Sequence, residues 1–310
     1  MTRIMLSAVI MALCVVNGLS QECRMSRAFM QPDGNAPGGA TAVWSDAGGS
    51  SLFFVESLNV NTDGTRRSYS VEDFWGKATA LNNLCNAMSD RCAGLNTDQL
   101  RDRRITTQRA FANGWPADQL ARTRISSSII PFKGGKPCPL VGGYLVSATA
   151  LHRPGVFDVC DITNYVDALE VPALVLPGNP SHGTSGFAQR GARVGDLVVA
   201  MTPGGTTPVY AVVGDIGPPR ELGEASVAMN GKLLGKTAPP RNYDEVRGRA
   251  PFVGQGWGVR RALVLIFPST RDVANPYLTT ARIDENARRR FEEWGGVARL
   301  TACAAAYASH

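Results

Sequence analysis

The stretch Val209-Tyr210-Ala211-Val212-Val213-Gly214-Asp215-Ile216-Gly217-Pro218-Pro219-Arg220-Glu221-Leu222-Gly223-Glu224-Ala225-Ser226 begins as an unbroken apolar run and ends in a tight Gly/Pro turn between two carboxylates. A β-branched run without polar alternation, Val209 to Val213, reads as a strand buried on both faces or lying inside a closed barrel. Gly214, Gly217, Pro218 and Pro219 end it, which puts Asp215 at a strand exit. Glu224 follows at the far side of the turn. Hydrolysis of a glycosidic bond needs one carboxylic acid and one carboxylate roughly 5–10 Å apart, and a rigid loop can set that distance. The same residues have a plainer reading, since Asp commonly forms turns and Glu commonly supplies charge at a helix start.

Working outward, the segment from Ile129 to Phe267 consists of short apolar runs divided by Gly and Pro. Strands are expected at Gly143 to Ala148, Ala173 to Leu176, Leu197 to Met201, Val209 to Val213 and Leu263 to Phe267. Upstream, Leu52 to Val60 reads as a strand broken by Asn61-Thr62-Asp63-Gly64, where Asp63-Gly64 is a strong turn signal. Between them, Val71, Phe74 and Trp75, then Leu81, Leu84 and Met88, recur at helix-like intervals. They predict a mostly helical stretch from about Ser70 to Leu120, interrupted at Asn113-Gly114-Trp115-Pro116. Near the end, Ala287, Phe291 and Trp294 line one face of a helix over Asp284 to Trp294, stopped by Gly295-Gly296.

The first twenty residues read as a signal peptide. Arg3 supplies the positive start, Ile4 to Val16 is apolar, and Gly18-Leu19-Ser20 offers small residues before a cleavage expected ahead of Gln21. The apolar run is too short for a membrane anchor, which needs about 20 residues. Removing the leader takes Cys14 and leaves Cys23, Cys85, Cys92, Cys138, Cys160 and Cys303, an even set that suggests three disulfides and an oxidising compartment. Cys85 with Cys92 is the one pairing that short spacing favours, and Cys303 is expected to staple the tail to the body. A zinc site is disfavoured because no Cys-x-x-Cys pair occurs. The chain has 310 residues, 44% hydrophobic content and a formal charge of +6. That is enough apolar material for a large core, and the modest basicity comes without a clustered Lys/Arg tract that would suit nucleic acid.

Six segments carry a resemblance to a known family. The runs Gly143-Tyr144-Leu145-Val146-Ser147-Ala148-Thr149-Ala150-Leu151, Tyr165-Val166-Asp167-Ala168 and Val171-Pro172-Ala173-Leu174-Val175-Leu176-Pro177-Gly178 resemble the fungal-type chitosanases, glycoside hydrolase family 75. Val194-Gly195-Asp196-Leu197, Val213-Gly214-Asp215-Ile216-Gly217-Pro218 and Gly223-Glu224-Ala225-Ser226 resemble the family's pattern around its two acids, and the likeness spans roughly residues 45 to 270. The resemblance implies that Asp215 and Glu224 are an inverting acid/base pair, working without metal or other cofactor. Asp215 as the acid is the first assignment, because apolar neighbours at a strand exit would raise its pKa, with Glu224 holding the water; the reverse assignment stays open at this point. The chain departs from the family in a shorter loop between the acids and in Asn61, where an acidic residue is usual; Asp63 of that motif is retained.

For substrate binding, Asp167 is singled out by its Tyr-Val-Asp context within an acidic run that also holds Asp158, Asp161 and Glu170. Trp257, flanked by Gly256 and Gly258, and Tyr144 are expected to stack on sugar rings, whereas Trp75 and Trp115 read as core. A Ser-His-Asp hydrolase is excluded, because no Gly-x-Ser-x-Gly elbow surrounds Ser185. The expectation is an α+β protein with a β-rich core of double-psi-like barrel type, flanking helices and a C-terminal helix. Residues 1–20 would be the signal peptide and 21–310 a single chitosanase-like catalytic domain: a partly helical part at 45–125, the β-rich core at 129–270 and the helix at 280–303. Its partner would be a polysaccharide, chitosan or a related amino-sugar polymer, with no nucleic acid and no membrane after leader cleavage. The protein is expected to be monomeric and secreted or periplasmic. Cleavage of peptidoglycan glycan strands, or polysaccharide binding without turnover, are the alternatives.

Overall fold

The computed structural model describes residues 23–33 and 39–307, so the expected leader and its cleavage site lie outside the described residues. Ten strands run in chain order as β1 (Met25–Pro32), β2 (Ala40–Asp46), β3 (Leu52–Asn61), β4 (Phe132–Lys133), β5 (Lys136–Pro137), β6 (Ala173–Pro177), β7 (Leu197–Met201), β8 (Val209–Gly217), β9 (Glu224–Ser226) and β10 (Val259–Phe267). The helices are α1 (Thr97–Ala112), α2 (Ala117–Thr123), α3 (Gly186–Gln189), α4 (Val227–Leu233), α5 (Tyr243–Arg247), α6 (Thr280–Trp294) and α7 (Gly296–Tyr307). The main sheet has the order β1-β2-β3-β10-β7-β8-β6-β9, and β9 pairs back onto β3. Six strands, β3, β10, β7, β8, β6 and β9, therefore close into a barrel. β1 and β2 extend from β3 as an antiparallel flap.

The unbroken apolar runs find their reason here, because each barrel strand is covered twice. Inside, Phe54, Leu58, Leu174, Leu176, Val198, Ala200, Ala211, Val213, Val264 and Ile266 interlock in one buried cluster. Outside, the alternate residues Phe53, Leu197, Val199, Leu263, Leu265 and Phe267 pack beneath Ile283, Ala287, Phe291 and Trp294 of α6 and Leu300 of α7. The apolar stripe of α6 matches the expected face, with Ile283 added one turn upstream. Gly295 ends α6 at φ +122°, and a second helix, α7, follows that the Gly295-Gly296 stop signal did not reveal.

Two expectations from periodicity are corrected. Ser70 to Leu95 forms turns and one short 3-10 segment, Leu84–Ala87, and α-helix begins only at Thr97. The Asp73 carboxylate accepts backbone N–H groups from Lys77, Ala78, Thr79 and Ala80 at 2.8–3.1 Å, offering the chain a better set of partners than a helix would there. Val71, Phe74, Leu84 and Met88 are still buried in one cluster, so the spacing reported burial and not helix. Gly143 to Ala148 is likewise no strand. Gly142 and Gly143 have φ of +61° and +89°, and only isolated bridges form, Val141 with Tyr144 and Tyr69 with Leu145.

Three disulfides join Cys23 to Cys303, Cys85 to Cys92 and Cys138 to Cys160. The first ties the segment just ahead of β1 to α7, near where Trp44 stacks on Tyr307 at 4.2 Å between ring centres. Among the described residues no helix is long and apolar enough to cross a membrane.

Candidate active site

Glu224 opens β9, a short strand inserted between β3 and β6. Its neighbour on β3 is Asn59 and its neighbour on β6 is Val175. Val175 is paired on its other side with Asp215 of β8. Asn59, Glu224, Val175 and Asp215 thus form a row across the barrel wall, with the two acids separated by one strand. Two interstrand steps place their backbones about 10 Å apart.

The aim of Asp215 depends on a β-bulge. Leu174 pairs with Val213, but Val175 pairs with Asp215, so Gly214 is an extra residue in β8. Ala211 and Val213 point into the barrel, and strict alternation would send residue 215 inward as well. The bulge turns it outward to share a face with Val175 and Glu224. Only glycine fits at 214, because a Cβ there would lie 2.7 Å from Ala173 Cβ. Gly223 has a comparable role beside Glu224: its φ is +82°, and a Cβ would stand 2.1 Å from the Ser57 carbonyl oxygen. After Glu224, Ala225 is core, while Ser226 caps α4, accepts the Ala173 N–H and donates to the Val171 carbonyl. The loop between the acids is held by buried Leu222 and by the Arg91–Glu221 ion pair at 2.7 Å.

The row floors an open cleft of about 590 Å³, walled by Asn61 to Asp63, Tyr69, Asn82, Asn86, Arg91, Tyr243 and Arg247. Burial raises the Asp215 pKa to about 6, opposed by N–H groups of Ala150 and Ile216 donating to its Oδ1 at 2.9 and 2.8 Å. Burial and the nearby Glu221 raise Glu224 to about 7, opposed by Arg91, with the Asp215 charge adding to the rise. Gly217 lies between the acids, where a Cβ would come within 3.7 Å of Glu224 Oε2.

A third carboxylate, Asp63, shares the cleft. Burial and the charge of Asp215 push its pKa well above the usual carboxylate range, while the Tyr69 hydroxyl pulls the other way. Its Oδ1 is buried without a hydrogen-bond partner, and its N–H donates to Asn61 Oδ1 at 2.9 Å. The sequence showed Asp63 mainly as half of an Asp-Gly turn, and that turn is real. Gly64 has φ +83°, and a Cβ there would come within 1.9 Å of the Val166 carbonyl oxygen. This close docking against Val166 and Ser147, whose Oγ accepts the Gly64 N–H, brings Asp63 into the site. Among the described residues no three His, Cys, Asp or Glu side chains converge as a metal site would require.

The other expected substrate residues lie elsewhere. Trp257 is 3% exposed, packed on Gly231 of α4 with Lys236 over its ring, and so belongs to the core. Its flanking glycine Gly256 serves close backbone packing against Gly248 and is not the mark of an open loop. Tyr144 is half-buried outside the cleft lining and donates its hydroxyl to Thr79 Oγ1 at 2.7 Å. Asp167 accepts the Leu169 N–H at 2.9 Å and holds a turn outside the cleft; burial raises its pKa. Asp158 pairs with Lys133, and Asp161 caps the Ile162–Asn164 turn. The aromatic groups that do line the cleft are Tyr69 and Tyr243. No protein-family model matches this chain, and no curated protein matches it either.

Proposed function

We propose that this chain is an inverting glycoside hydrolase of endo-chitosanase-like type, cleaving a β-1,4-linked amino-sugar polymer with Asp215 and Glu224. The observation that carries the reading is the row Glu224–Val175–Asp215, two carboxylates on one outward face across an open cleft. Their backbones stand two interstrand steps apart, which supports the wider carboxyl gap of an inverting pair over the narrower one of a retaining pair.

The hydrogen bonds favour Glu224 as the acid and Asp215 as the base, opposite to the assignment expected from the strand exit alone. Two backbone N–H donors to Asp215 Oδ1 favour its ionised form and fix its orientation, whereas Glu224 keeps its proton to higher pH. In the reaction Glu224 gives its proton to the glycosidic oxygen as the bond to the anomeric carbon breaks. Water attacks that carbon from the opposite face and passes a proton to Asp215, and exchange with solvent restores both groups. The three disulfides, together with the leader read from the sequence, support export to the periplasm or exterior.

The test is release of new reducing ends from partly acetylated glucosamine oligomers, with the anomer of the fresh product followed by NMR. Inverted product from the native chain, lost in Asp215→Asn and Glu224→Gln, is the expected result. Retained activity in either variant overturns the pair. Binding of oligomers with no new reducing ends assigns the scaffold to a binding protein instead.

A further inference from the structure

The main cleft continues past Asn86 and Arg91 into a second pocket of about 460 Å³. Trp75 lines it, half-buried, and the Cys85–Cys92 disulfide makes one wall rigid. Its charged lining is entirely cationic: Lys77, Arg91 and Arg249, with no Asp or Glu. Arg247 adds a fourth cation at the rim of the main cleft.

These charges are incompletely neutralised. Arg91 is paired with Glu221, but Arg249 reaches Asp244 only at 3.9 Å, and its side chain is 58% exposed. Among the described residues Lys77 and Arg247 have no carboxylate within ion-pair distance. A tryptophan and an incompletely neutralised cationic rim beside the cleft that holds the acid pair describe a sugar subsite that also receives an anion. A polymer of protonated amines would meet like charge there.

We propose that the pocket lined by Trp75, Lys77, Arg91 and Arg249 binds a carboxylate carried by the sugar chain, so that the preferred polymer is an amino-sugar glycan with acid-bearing rings. This rests on the glycosidase reading of the adjoining cleft. The carboxylate could be a lactyl ether on an amino sugar, as in peptidoglycan strands, or a ring uronate; both present the same planar anion to Arg and Lys.

The experiment compares kcat/KM on three β-1,4 tetrasaccharides: N-acetylglucosamine only, the same chain with lactyl ethers on alternate rings, and one with alternate uronates. The native protein should prefer at least one acid-bearing substrate, and the preference should shrink as salt rises. Lys77→Ala and Arg249→Ala, both solvent-facing changes, should each lower the acid-to-neutral ratio by about fivefold. A ratio at or below one in the native chain, or a ratio untouched by both variants, overturns the proposal. A binding arm separates the two readings. In Glu224→Gln, calorimetry should show the lactyl or uronate oligomer bound more tightly than the neutral one, and this difference should be reduced by Lys77→Ala. If no oligomer is hydrolysed but this binding pattern holds, the hydrolase reading falls and the pocket stands. Hydrolysis without acid preference removes the pocket alone.

Discussion

The outer faces of β7 and β10 and the outer faces of β9, β6 and the end of β8 belong to one barrel, yet they have opposite chemistry. On the first, Leu197, Val199, Leu263, Leu265 and Phe267 lie under α6 and α7. On the second, Glu224, Val175 and Asp215 face a cleft that no long helix covers, walled by turns from Asn61 to Arg91 and by α5. One apolar cluster fills the interior beneath both halves, so the barrel closes in the same way under each. The difference shows how stability and chemistry are divided. The helix-covered half contributes burial, while the open half holds three carboxylates whose pKa values are raised because the site disfavours their charge.

If that division is right, changes in the two halves should affect different measurements. The largest effect is expected for Asp215→Asn and Glu224→Gln, each lowering kcat by about 10²–10⁴-fold with no loss of thermal stability. Comparing turnover with the unfolding midpoint checks this, and a fall in both together would break the comparison. The native pH profile should be a bell with limbs at about 6 and about 7, set by Asp215 losing its proton and Glu224 keeping its own.

Next in size, Phe291→Ala on the covered half should cost about 3–5 kcal/mol of stability by leaving a cavity under α6, read by denaturant unfolding. Turnover per folded molecule should stay near native. Gly214→Ala tests the junction between the halves. The added methyl meets Ala173, so the bulge must shift and Asp215 with it, and up to about 10²-fold in kcat should be lost for a stability change of about 1–3 kcal/mol.

The smallest effect concerns Asp63. A buried acid with a raised pKa contributes stability that is complete below its unfolded pKa and declines as pH rises through its folded one. Asp63→Asn removes that decline. The variant should match the native protein near pH 4 and exceed it by about 1 kcal/mol or more at pH 8, as followed by thermal denaturation at both pH values. A variant less stable at pH 8 would show that Asp63 is ionised in the fold.

Much of this architecture was legible in the chain. The apolar runs at Ala173, Leu197, Val209 and Leu263 located four barrel strands, and their lack of alternation pointed to two-sided burial. The stripe of Ala287, Phe291 and Trp294 located α6. The closing strand β9 was not legible, because its three residues offer no period to read. The Ser70 to Leu95 segment misled because apolar spacing records burial, and Asp73 satisfied the backbone by another route. Trp257 misled because its glycine neighbours serve packing as readily as looping.

By itself the sequence determined that Asp215 and Glu224 flank a stiff Gly/Pro turn beside a buried strand, and that its cysteines could close three disulfides. Only the tertiary structure decided where those acids point and which groups join them. A bulge is a property of two paired strands, so the turn outward at Gly214 requires knowing that Val175 lies opposite. Asp63 and Glu224 are distant in sequence and meet because β9 inserts beside β3. The raised pKa values likewise belong to the assembled cleft, since desolvation depends on every wall around a group and not on the residues next to it in the chain.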